Sequence, residues 1–111
     1  GAEALTITFP SNSSYFPPGT DTQLQALLRQ LAEDRHYQVI LQAAVSGSQK
    51  VVGAESPDEA VKYNQWLAER RVDRVRSWLD QNASGNALVV KPEYRDNDES
   101  RQVVVRLIPA A

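Results

Sequence analysis

The sequence has no cysteine, no methionine and a single histidine, His36. Without cysteine there is no disulfide framework, no thiolate-held zinc or iron–sulfur site, and no thiol nucleophile. One histidine excludes a two-histidine metal site and leaves one candidate for a serine–histidine pair. No sign of charge dominates: 12 basic and 14 acidic residues give a net charge of −2. Nucleic-acid binding by broad phosphate neutralisation is not expected from that balance. No apolar run approaches the roughly 20 residues of a membrane span. Gly1-Ala2-Glu3-Ala4 carries neither the basic nor the apolar stretch of a secretory leader, which is compatible with a leader already removed. The missing cysteines fit periplasm and cytoplasm equally.

What is present reads as one globular domain over residues 1–111, with 41% hydrophobic and 23% charged residues. Folding a chain of this mass buries about two thirds of its surface, enough for a core without staples. Leu5-Thr6-Ile7-Thr8-Phe9 alternates like a half-buried strand, and Pro10 ends it. Residues 11–19 form a Ser/Asn/Pro/Gly loop. Thr20 to Gln23 has the spacing of a capping box, and Leu24, Leu27, Leu28 and Leu31 predict an amphipathic helix of about four turns. Tyr37 to Val45 is nearly continuously apolar, as in a central strand covered on both faces. A Gly/Ser loop follows, from Ser46 to Glu55, carrying the apolar pair Val51-Val52.

Ser56-Pro57-Asp58-Glu59 is a strong helix start, with Ser56 as cap and two acids at the positive dipole end. The helix is expected to run to about Gln81 and to stop within 82–86. Its inward stripe reads Ala60, Asn64, Leu67/Ala68, Arg71/Val72, Val75 and Trp78/Leu79. Ala87 to Val90 is a third strand, stopped near Pro92, and Gln102 to Ile108 a fourth. The order β-α-β-α-β-β predicts an α/β sandwich (α+β), two long helices on a mixed four-stranded sheet. The last two strands are expected to pair antiparallel.

An enzyme is not expected. The G-x-S-x-G elbow is absent, Gly47, Gly53 and Gly85 are isolated, and no G-K-[ST] follows them. His36, between helix and strand, reads as a surface turn residue, and no cofactor is implied. The acidic pairs Asp58/Glu59 and Asp98/Glu99 read as a helix start and a solvated loop. The second helix is the unusual element. Asn64 and Arg71, seven residues apart, interrupt its apolar stripe on nearly one face. Polar groups there need partners. Arg71 presents a planar fork suited to a carboxylate, and an internal salt bridge is the simplest way to satisfy it.

Asn64-Gln65-Trp66-Leu67-Ala68-Glu69-Arg70-Arg71-Val72 resembles the N-x-x-L-S-x-x-R-A signature of OmpA-like domains, the peptidoglycan-associating modules of Gram-negative envelopes. Phe9-Pro10-Ser11-Asn12-Ser13 with Phe16-Pro17-Pro18 is similar to the family's first strand and following segment, Leu24 to Leu31 to its first long helix, and Ser100-Arg101-Gln102-Val103-Val104-Val105 to its final N-R-R-V-E-I strand. The resemblance spans nearly the whole chain. It implies a non-catalytic periplasmic module that binds the zwitterionic end of diaminopimelate in the peptidoglycan stem peptide. Such a module anchors an envelope protein to the wall, and a membrane, outer or inner, is reached only through an anchor outside this chain.

In the family, an aspartate of G-H-T-D meets the ammonium and the signature arginine meets the carboxylate. Arg71 and Asn64 stand at the matching positions. Ala43-Ala44-Val45-Ser46 replaces G-H-T-D, so Ser46 stands where the acid would be. Loss of such a charge in a buried site costs about 2–5 kcal/mol. Asp58 or Glu55, in a loop longer than usual by roughly ten residues on the family comparison, could supply a carboxylate instead. Ala68 and Val72 also depart from the signature. The alternative implied by these departures is a degenerate member that has lost wall binding and serves as a protein–protein interaction or assembly domain.

Overall fold

The computed structural model describes residues 3–32, 34–83 and 87–110. Six elements follow in order: β1 (Glu3–Thr8), α1 (Thr20–Leu28), β2 (His36–Ala44), α2 (Pro57–Asn82), β3 (Ala87–Arg95) and β4 (Gln102–Pro109). They form the expected sandwich of two helices on a mixed four-stranded sheet. The sheet order is β1-β4-β2-β3.

This order corrects the expected pairing of the last two strands. β4 inserts between β1 and β2 and runs antiparallel to both, while β3 pairs parallel with β2 at the sheet edge. β4 offers an apolar residue at every second position, Val103, Val105 and Leu107, all inward and buried. Such a strand belongs inside a sheet. β3 carries Pro92, which has no N–H to donate, and an edge strand tolerates that. It therefore continues through Pro92 to Arg95 instead of stopping there.

The helices cover one face only. Ile7, Phe9, Val39, Leu41, Ala43, Val103, Val105 and Leu107 pack against Leu24 and Leu27 of α1 and Ala68, Val72, Val75 and Leu79 of α2. The other face of β2 carries Gln38 and Gln42 among Ile40 and Ala44, and is not covered by a second layer. Gln42 there donates to Glu93 at 3.1 Å and accepts from Arg106 at 2.9 Å. The apolar run in β2 arises because neighbouring strands shield Ile40 and Ala44 on that face.

α1 is shorter than its leucine spacing suggests. Its N-cap is Gly19, at φ 88°, with no side-chain cap. Thr20 is buried and its hydroxyl donates to the Pro17 carbonyl at 2.9 Å, so the capping box does not form. After Leu28 the backbone tightens to i→i−3 bonds, Gln30 to Leu27 and Leu31 to Leu28.

α2 starts as expected. The Ser56 hydroxyl accepts from the Glu59 N–H at 3.2 Å, and Glu59 reaches back to the Glu55 N–H at 2.7 Å. Its buried stripe is Ala60, Asn64, Leu67, Ala68, Arg71, Val72, Val75 and Leu79. Trp78 is partly buried and donates to Asp21 at 2.6 Å, tying α2 to α1. Part of the expected stop within 82–86 lies outside the described residues. Ser56→Ala is expected to cost about 1 kcal/mol, the usual value of a hydroxyl cap, read as a lower urea midpoint with unchanged slope.

Candidate functional site

Three chain segments converge at one end of the sheet, where β1 and β2 finish and β4 begins. The segment after β1 carries Ser11 and Asn12, the loop after β2 carries Ser46, Ser48, Lys50, Val51 and Val52, and the turn before β4 carries Glu99 and Arg101. Asn64, Leu67 and Arg71 of α2 close the fourth side. Together they line a cleft of about 330 Å³.

Arg71 is 5% exposed. Its Nε donates to the Ser13 carbonyl at 2.8 Å and its Nη2 to the Pro10 carbonyl at 3.0 Å. The guanidinium lies 5.3 Å from the centre of the Phe9 ring, itself 6.0 Å from Phe16. Among the described residues no carboxylate pairs with it, which corrects the expected internal salt bridge. Two backbone carbonyls and an aromatic face hold the cation instead. Burial, then the nearby charge of Arg101, push its proton affinity below the ordinary arginine range, and Tyr63 works the other way. Arginine nevertheless stays charged at any physiological pH.

Asn64 is also buried, and donates to the Ser48 carbonyl at 2.9 Å. It holds down the loop after β2. The exposed Tyr15 ring sits 4.1 Å from the Arg74 guanidinium, whose Nε donates to the Ser14 carbonyl at 3.2 Å. Two arginines one turn apart thus clamp the segment after β1 to α2.

Glu99 brings an acid to this cleft that the sequence did not reveal. Its carboxylate accepts from the Ser46 hydroxyl and, at 2.8 Å, from the Gly47 N–H. Backbone bonds past the end of β2 make this possible. Val45 donates to the Arg95 carbonyl and accepts from the Asp98 N–H, both at 2.9 Å. Gly47 leaves room for the Asn97 side chain, whose amide a Cβ at this position would push aside. The sequence alone places Asp98 and Glu99 in a solvated loop. Only the insertion of β4 beside β2 carries that loop to Ser46.

Of the four predicted site residues, the fold brings Ser46, Asn64 and Arg71 together and leaves Asp58 out. Asp58 lies exposed in the first turn of α2, and Glu55 is exposed in the loop before it. Neither lines the cleft.

Arg101 is the second residue that sequence reasoning passed over as a site residue. It has φ 57°, a left-handed conformation unusual for an arginine, and its Nε donates to the Phe9 carbonyl at 3.1 Å. Asn12, also on the cleft, has φ 56°. Strained backbone at non-glycine residues tends to gather at binding sites.

Ser46 and His36 do not form a serine–histidine pair. His36 opens β2 and Ser46 follows its end, so about 30 Å of extended chain separates them. Among the described residues no group of three or more His, Cys, Asp or Glu could hold a metal.

No protein-family model and no curated protein sequence matches this chain. The solved OmpA-like domain of FopA1 from Francisella tularensis subsp. tularensis SCHU S4 is similar to it, with a TM-score of 0.65 over 99% of this chain and 77% of that one. The chain has the fold of an OmpA-like domain. At 13% identity the likeness is one of fold. The OmpA-like arrangement of the chain puts its buried arginine in the cleft between strand ends and second helix. What that cleft binds must be argued from its own residues.

Proposed function

We propose that the chain is a non-catalytic peptidoglycan-binding module of the cell envelope, recognising the zwitterionic diaminopimelate end of the stem peptide. In this role it tethers an envelope protein to the wall from the periplasm. The observation that carries the reading is Arg71, buried and without a carboxylate partner among the described residues, on a cleft that also holds the Glu99 carboxylate. Arg71 receives the ligand carboxylate. Glu99, held by Ser46 and Gly47, receives the ammonium in place of the acid missing at position 46. Asn64 keeps the loop wall in place. Charge-assisted bonds to both ends of a zwitterion give orientation as well as affinity.

Titration of the domain with a diaminopimelate-containing muropeptide tests this. Saturable binding with an affinity that falls as salt rises is the expected result. No saturable binding to the wild type overturns it.

A second reading is favoured by one observation. Val52 is 98% exposed at the rim of the cleft, in the loop that Asn64 pins. A lone exposed valine is ordinary, but at a cleft rim it suits a protein partner, as in an assembly domain without wall binding. Capture of an envelope protein that Val52→Asp abolishes, by a domain that ignores muropeptides, would favour this reading over the first.

A further inference from the structure

The cleft does not balance its own charge. Lys50, Arg71 and Arg101 line it, against Glu99 as the one acid among its lining residues. The local sum is +2 in a chain whose net charge is −2. Both oxygens of Glu99 are already engaged, one by the Ser46 hydroxyl and one by the Gly47 N–H. Among the described residues none of the three cations forms an ion pair. Among the described residues Arg101 is anchored through Nε alone, with its two terminal nitrogens in no bond to them. Its backbone is left-handed, at φ 57°, a conformation that arginine seldom adopts and that gathers at binding sites.

A ligand with one carboxylate and one ammonium answers Arg71 and Glu99. It leaves Arg101 and Lys50 facing the cleft unanswered. We propose that Arg101 and Lys50 form a second anion subsite, so that the cleft selects a wall peptide bearing a further free carboxylate beyond its zwitterionic end. This inference rests on the wall-binding reading of the same cleft. Arg71, buried and fixed by carbonyls, sets the position of the first carboxylate. Arg101 and Lys50, both exposed, set the preference for the second. A cleft with net positive charge also draws anionic ligands from a distance, more so at low salt.

Two synthetic peptides ending in diaminopimelate test the proposal, one with a second free carboxylate and one with that carboxylate amidated. The diacid is expected to bind the wild type about five- to tenfold more tightly than the amide. Lys50→Gln and Arg101→Gln are expected to bring the diacid toward the amide's affinity, and to leave the amide within about twofold of its wild-type value. Lys50 makes no side-chain bond among those described, so its variant keeps the test clear of folding effects even if Arg101→Gln loosens the Phe9 contact. Equal binding of the two peptides to the wild type overturns the proposal and leaves the wall-binding reading intact. Equal loss for both peptides in both variants also overturns it, since that marks general positioning. If neither peptide binds the wild type, the wall-binding reading falls and this subsite with it.

Discussion

Arg71→Ala is expected to destabilise the domain by about 2–4 kcal/mol and to remove wall-peptide binding altogether. The stability part follows from what the side chain holds. Two charge-assisted bonds to the carbonyls of Ser13 and Pro10 disappear, and both acceptors lose their partner at a part-buried site. Bonds to charged groups are worth about 1.5–3 kcal/mol each, with partial recovery by water. The Phe9 ring, 1% exposed, also loses the cation above it. Urea unfolding reads this as a lower midpoint. Arg71→Lys separates the two roles. An ammonium keeps the charge but cannot span two carbonyls and a ligand carboxylate with one rigid fork. That variant is expected to recover part of the stability and little of the binding. Unchanged muropeptide affinity in a folded Arg71→Lys domain would remove Arg71 from the site.

Ser46→Asp is expected to weaken binding, although it restores the acid of the family motif. The reason is Glu99. The Ser46 hydroxyl donates to that carboxylate, so an aspartate there sets two carboxylates against each other and removes the donor. The cost is about 1–3 kcal/mol, felt as a loosened turn before β4 and at least tenfold weaker muropeptide binding. Glu99→Gln alone keeps the shape and an acceptor for the Gly47 N–H but loses the charge, and is expected to bind about tenfold more weakly with little change in stability. The double variant, Ser46→Asp with Glu99→Gln, moves the acid across the same hydrogen bond. It is expected to bind better than either single variant. Titration of the four proteins forms a double-mutant cycle. Additive losses would show that the two positions do not share one carboxylate role.

These expectations differ from what the sequence suggested, and the difference has a definite origin. Periodicity located all six elements, because an amphipathic face and a capped start are local properties. The α2 stripe, including its two polar members Asn64 and Arg71, was legible residue by residue. Local signals failed where a neighbour intervened. Thr20 has the spacing of a cap, yet its hydroxyl turns to Pro17 because the residue is buried. Pro92 reads as a stop until the strand that carries it proves to be an edge. Asp58 reads both as part of a helix start and as a substitute carboxylate, and the fold keeps the first role alone: it lies in the first turn of α2, exposed and off the cleft.

The sequence by itself determined the class of molecule: one cysteine-free α/β domain whose second helix buries an arginine among apolar residues. That much is written in short-range pattern and composition. Only the tertiary structure decided what surrounds the arginine. Strand order is set by which apolar strand is buried between which neighbours, a long-range competition that no local window records. Once β4 takes the place between β1 and β2, the turn before it must lie against the end of β2. Glu99 then meets Ser46, and Arg101 comes to the same cleft as Arg71, 30 residues away in the chain.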